Sequence, residues 1–337
     1  MTGEPGGGPS GRDAGPRAPE RCTTVGDVGT AETTGPPAGP SSGGGGGARR
    51  PRPLAAVAMR RLWVVGASVI VLQLAGLLAW SWHLWTRFDL TADMATFSQA
   101  FQQIGTGHLD PYETTFVFGY PHWGYSFYQS HFELLMWPLA LLFTVTRSTF
   151  TLLVVQDLAL AGSGAVVFRW ACELLDRRWP AERRGRSLVG AGVLLVVVAN
   201  PWTAWVASFD WHFQPIATFF ALVAARDVWA GRRRAWIWIA AVLLCGDVAT
   251  TYVMALGLAA VVAGRTTRRW GGAMIAAGVV WLGVVSLAGA GKGSSLNGGY
   301  GYLAGHPVSD GIGGMVAIVV GMLLHPSHPL SMLRSRW

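Results

Sequence analysis

A chain of 337 residues with 51% hydrophobic and 13% charged side chains is too poor in charge for a soluble domain, where roughly a quarter of residues are charged. It reads as a polytopic membrane protein. The net charge of +8 sits mainly in arginine clusters beside apolar runs, where it sets topology; no basic face on a folded soluble domain is present, which excludes nucleic-acid binding.

Residues 1–58 are rich in Gly, Pro, Thr and Ser and include the run Gly43 to Gly47. They contain almost no large apolar side chain, so they are expected to form a disordered cytoplasmic tail. Met59, Arg60 and Arg61 before a long apolar run are how a membrane-protein N-terminus begins, and translation is expected to start there. The rest, 59–337, reads as one multi-pass membrane domain. Cys22 lies in the tail, and Cys172 and Cys245 lie near or within apolar segments, a pattern that suits neither a disulfide framework nor a zinc site.

A helix needs about 20 apolar residues to cross the hydrocarbon. Leu62 to Trp85 is the first such window; arginines before it and Trp80, Trp82 and Trp85 at its far end orient it from inside to outside. An outer loop, 86–133, follows. It gathers Asp89, Asp93, Asp110, Glu113, Glu133, His108, His122 and His131, which in a chain this short of charge marks a candidate site.

Leu134 to Val145 is too short to span and contains Pro138, so it is predicted to be interfacial or re-entrant. Thr149 to Leu175 crosses inward to the arginines 177, 178, 183, 184 and 186. Leu188 to Trp205 then goes out, the turn Ser208 to His212 lies outside, and Phe213 to Ala230 returns to Arg232, Arg233 and Arg234. Trp236 to Gly264 has arginines at both ends and is predicted to be a hairpin with Asp247 near its tip. Trp270 to Ala288 leads out to a Gly-rich loop holding Lys292. The His325 to Pro329 run, HPSHP, is read as a turn. This layout places the outer loop, the Asp210/His212 turn, the Asp247 tip and the Lys292 loop on one side of the membrane. No internal repeat is visible, which weakens a transporter reading.

Several segments carry a resemblance: FDLTADMATFSQAF after the first span, SHFELLMWPLALLF, VVQDLALAGSGAVVFRWA, FDWHFQP in an outer turn and LLCGDVATTYVMALGL in a hairpin. Together, over about Leu62 to Leu333, they resemble the DUF2079 family of bacterial membrane proteins, itself similar to the GT-C superfamily of polyprenyl-phosphate-sugar-dependent glycosyltransferases. The resemblance implies an all-α polytopic transmembrane helix bundle at the cell membrane and transfer of a sugar from a polyprenyl-phosphate donor to a glycan acceptor on the extracytoplasmic face. The hairpin tip departs from the family pattern, with Cys245-Gly246-Asp247 where Lys-Glu-Asp is expected. Family members run longer, so a C-terminal part is expected to be missing.

The resemblance maps the acidic base of the first outer loop onto Asp89, with Asp93 second. A sugar hydroxyl is a weak nucleophile, and a carboxylate within hydrogen-bond reach takes its proton as the glycosidic bond forms. An i,i+4 pair shares a helical face, so the two are expected to act together or to share a divalent cation, the one cofactor considered. Asp89 capping a helix, with Asp93 solvated, is the plainer alternative. Substrate binding is assigned to His131 and Glu133 where the loop re-enters the membrane, to Asp210 and His212 in a four-aromatic turn, to Asp247 at the hairpin tip, and to Lys292 as a cation for the leaving phosphate. Asp210 is the expected partner of His212. Tyr112, Tyr120, Trp123, Tyr125 and Tyr128 could stack on sugar faces or rest on headgroups. A transporter using Asp157 and Asp247 at membrane depth, and a non-catalytic scaffold of envelope biogenesis, are the alternative functions.

Overall fold

A computed structural model describes residues 53–113, 125–130, 132–178, 183–288, 312–325 and 327. The described residues belong to one compact unit, Pro51–Trp337. The expected tail up to residue 52, His131 and the loop with Lys292 lie outside them.

The fold is an all-α helix bundle. Helices α1 (Pro53–Arg87), α5 (Phe150–Arg178), α6 (Arg183–Val198), α7 (Pro201–Ala207) and α8 (Gln214–Trp229) are followed by α9 (Ala235–Leu244), α10 (Asp247–Ala263), α11 (Arg265–Leu287) and α12 (Ile312–Leu324). Helix α1 thus begins at Pro53, inside the segment expected to be tail. Among the described residues four stretches are long and apolar enough to cross a membrane: Arg61–Arg87, Phe150–Arg177, Ser187–Ala207 and Arg265–Leu287. The third joins α6 and α7 across Asn200, whose side-chain oxygen caps α7 by accepting from Trp202 N at 3.1 Å, with Pro201 in the first turn.

The shorter pieces behave as their lengths require. Helix α4 (Met136–Thr146) has 11 residues, about 16 Å at 1.5 Å per residue, roughly half the hydrocarbon thickness. Helices α9 and α10 form the expected hairpin, turned at Cys245 and Gly246; Gly246 has φ +127°, a conformation that favours glycine. Helix α10 lies so close to α11 that a Cβ on Gly257 would come within 2.9 Å of the Gly271 carbonyl oxygen. Small residues of this kind let helix backbones touch.

The polar segment after α1 is not a plain loop. Its first half is helix α2 (Ala92–Gly105), which buries Met94, Phe97, Ala100, Phe101 and Ile104. Beyond it a two-residue strand β1 (Tyr112–Glu113) pairs antiparallel with β2 (Tyr125–Ser126), Tyr112 opposite Ser126, and the short helix α3 (Phe127–Ser130) leads back toward α4. Phe97 and Phe101 meet Phe127, Trp211 and Phe213 in one ring cluster, with centroids 5.4 Å apart for Phe97–Phe127 and 6.1 Å for Phe101–Trp211. That cluster locks the 208–213 turn onto α2.

Candidate functional site

Phe88 takes a left-handed conformation, φ 57°, and separates α1 from α2. Thr91 is the N-cap of α2, its side chain accepting from Asp93 N at 3.4 Å. Asp93 stands in the first helical turn, whereas Asp89 precedes the cap. The expected i,i+4 face shared by Asp89 and Asp93 does not exist, because the chain between them is the turn that starts the helix.

Asp210 reaches this helix start from 116 or more residues away in sequence. Its carboxylate accepts from Thr91 N at 2.7 Å and Met94 N at 3.0 Å, and the Thr91 hydroxyl donates to it as well. Asp210 is 2% exposed, so its oxygens meet the first N–H groups of α2 away from water, where a helix N-terminus favours a carboxylate acceptor. It is therefore not the carboxylate partner expected for His212. That partner is Asp93, with Oδ2 lying 3.5 Å from His212 Nε2. His212 Nδ1 lies 3.1 Å from the Asp210 carbonyl oxygen. The backbone N of His212 donates to Gln156 Oε1 at 3.0 Å, and its ring rests against Phe97 and Phe209, 6.0 and 5.3 Å between centroids. Helix α2, helix α5 and the 208–213 turn thus fix one imidazole against one carboxylate.

His212 of this pair lines a cleft of about 640 Å³. Its lining mixes polar side chains, among them Asp210, Asn200, Gln73 and Gln214, with apolar ones such as Leu160, Val197 and Leu222. The cleft runs along α5, the α6/α7 segment and α8, with Val248 and Tyr252 of α10 also on its wall.

A second polar group forms where α4 begins. Leu135 N donates to Leu244 O at 2.8 Å, drawing the chain after α3 against the hairpin tip. Glu133, 5% exposed, then lies beside Gly246 and Asp247, with its Oε2 unpartnered. Glu133 lies in the connection before α4, and burial pushes its carboxyl well above the ordinary range; the Asp247 charge adds to the rise. The structure brings Asp93, Asp210 and His212 together, and separately Glu133 and Asp247. Asp89 is exposed and has no side-chain partner among the described residues. His131 and Lys292 lie outside the described residues.

The residues suit a shared divalent cation poorly. Asp93 faces an imidazole rather than a second carboxylate, and among the described residues no group of three His, Cys, Asp or Glu side chains converges as a metal site. Sequence reasoning missed Thr91 as the link between the two carboxylates. Thr91 followed by Ala92 and Asp93, with Met94, Phe97, Phe101 and Ile104 at helical spacing, is an N-cap signal that the polar composition of the segment masks.

Residues 81–333 match the family described as "Predicted membrane protein (DUF2079)". The chain belongs to that family. It is accordingly an integral membrane protein, with four stretches able to span. No curated protein and no solved structure matches it.

Proposed function

We propose that this DUF2079 protein is a GT-C-like glycosyltransferase, multi-pass in the plasma membrane, that moves a sugar from a polyprenyl-phosphate carrier to a glycan acceptor at the extracytoplasmic end. The observation that carries the proposal is a largely apolar cleft with a few polar side chains on its wall, one of them His212, whose imidazole lies 3.5 Å from the Asp93 carboxylate. A ligand for such a space has a long apolar chain and a polar head, and polyprenyl-phosphate sugars have that form.

In this reading Asp93, rather than Asp89, is the base. An acceptor hydroxyl attacks the anomeric carbon; its proton passes to the Asp93 carboxylate as the new C–O bond forms. The bond from the anomeric carbon to the phosphate oxygen breaks, and the electron pair leaves with polyprenyl phosphate. His212 orients Asp93, and Asp210 holds the helix start that presents it. No lysine or arginine lines the cleft among the described residues, so the leaving phosphate is assigned to Lys292 of the following outer loop. Glu133 and Asp247 bound the acceptor side.

The test is a deletion in the native cell, complemented by the wild-type gene or by Asp93→Asn. Wild type is expected to restore an envelope glycan that the deletion loses, and Asp93→Asn to leave lipid-linked sugar accumulated. An envelope glycan profile unchanged by the deletion, with no lipid-linked sugar accumulating, would overturn the proposal.

A further inference from the structure

The cleft has an aromatic lining that catalysis by Asp93 does not require. Three aromatic side chains follow one another along α7 and the turn after it. Trp202 and Trp205 have centroids 5.4 Å apart, Trp205 and Phe209 6.0 Å, and Phe209 and His212 5.3 Å. All four rings line the cleft, and the series ends at the imidazole that contacts Asp93. Trp202 is 49% exposed, Trp205 48% and Phe209 41%, whereas Trp211 and Phe213 of the same turn are buried in the core. Two rings of the turn are thus buried in the core, while Trp202, Trp205 and Phe209 remain partly exposed on the cleft lining.

Two hydrogen bonds hold the ring-bearing segment in place. Asn200 caps α7 beneath Trp202, and Trp80 of α1 donates to Ser208 Oγ at 3.1 Å, pinning the end of α7 between Trp205 and Phe209. Gln214 and Gln73, which also line the cleft, each have a buried side-chain oxygen without a hydrogen-bond partner. An unpaired buried acceptor is costly unless a ligand supplies the donor.

We infer that Trp205 and Phe209, with Trp202 at the edge, form a stacking platform for a pyranose ring whose hydroxyls donate to Gln214. The inference rests on the proposed glycosyl-transfer reading of the cleft and names the part that recognises the sugar. A pyranose has what this lining lacks: a C–H face for aromatic rings and a rim of O–H donors for orphan amide oxygens. A hydrocarbon tail supplies the first but not the second. The ring series leads the sugar toward Asp93, so the platform would set the anomeric carbon's position.

The experiment uses the full chain in nanodiscs, titrated with citronellyl phosphate, with citronellyl phosphates bearing glucose, mannose or galactose, and with the corresponding methyl glycosides. At least one glycosylated lipid is expected to bind about ten-fold more tightly than bare citronellyl phosphate. Trp205→Ala should remove that margin and leave the bare phosphate unaffected, while Trp205→Phe, which keeps a ring, should retain most of it. Methyl glycosides that bind as tightly as the lipids, with the same loss in Trp205→Ala, would support the platform and point to free saccharide as its ligand. If every lipid binds wild type equally, or Trp205→Ala weakens bare and glycosylated lipids alike, the platform is wrong and the lipid-phosphate cleft stands. Failure of every probe to bind wild type overturns both.

Discussion

The two ends of the helix bundle handle charge in opposite ways. At the end carrying Asp227, a fully buried carboxylate accepts from Arg234 Nε at 2.7 Å, Arg234 Nη2 and Arg232 Nη1 at 3.1 Å, and Trp238 Nε1 at 3.2 Å. Nearby, Glu173 is held by Arg169 at 3.1 Å and by Arg226 at 2.5 Å. Each of these carboxylates is matched by cations. At the other end Glu133 keeps an unpartnered oxygen, Asp93 has a single imidazole contact, and the Gln214 oxygen beside the cleft is unpaired. A saturated network is stable and chemically idle; an unsaturated one in a cavity is costly, and ligand binding is one way the cost is recovered.

This contrast is first broken at its stable end. Asp227→Ala removes the acceptor of four hydrogen bonds at a site with 0% exposure and strands the Trp238 N–H. Arg232 and Arg234 are 42% and 54% exposed and can turn to water, so the expected loss is at the lower end for a broken buried pair, about 3 kcal/mol. Thermal unfolding of purified protein in detergent measures it. Unfolding within error of wild type would show the network to be dispensable. Activity at the cleft, where the protein remains folded, should be unchanged.

A smaller loss is expected from Asp210→Ala, about 2 kcal/mol, the upper range for a helix cap, because Thr91 still caps α2 without it. Function separates the two ends. Asp210 orients α2, so Asp210→Ala should lower kcat strongly at nearly constant KM by displacing Asp93, and Asp210→Asn, which keeps one acceptor oxygen, should recover part of the rate. A loss of stability with kcat unchanged would reduce Asp210 to a cap alone.

The same two ends explain what the sequence revealed. The four long spans were legible because apolar length and flanking arginines are local, additive signals, whereas the predicted crossing Phe213 to Ala230 is the 16-residue helix α8 and is not among them; the α9/α10 hairpin followed from arginines at both its ends. The partnership of Asp210 with Thr91, and of Asp93 with His212, was not legible, since side-chain pairing across more than a hundred residues depends on how Phe97, Phe101 and Trp211 pack. Asp227 was hidden for another reason. Set directly after Arg226 and shortly before three consecutive arginines, it reads as part of a topogenic basic run, and only the close of α8 shows it turned inward among them. The Glu133–Asp247 encounter was half legible: the topology put both on one face, but their adjacency depends on the Leu135–Leu244 backbone bond.

The last effect, at Glu133, is a trend with pH rather than a single loss. Burial and the Asp247 charge hold its carboxyl well above the ordinary value of 4.5, so the folded state keeps a proton that the unfolded chain releases. The stabilisation from that proton is fully present below about pH 4.5 and is lost as pH rises toward the folded value. Glu133→Gln mimics the protonated carboxyl and cannot titrate. The variant and wild type should therefore unfold at nearly the same temperature at about pH 4 and diverge as pH is raised to about 8, with the variant the more stable. The trend also tests Asp247, because Asp247→Asn removes the second cause of the rise and should narrow the divergence without abolishing it. A difference between Glu133→Gln and wild type that stays constant with pH would mean that Glu133 is charged in the folded protein, and that it has found at this end the kind of partner that Asp227 has at the other.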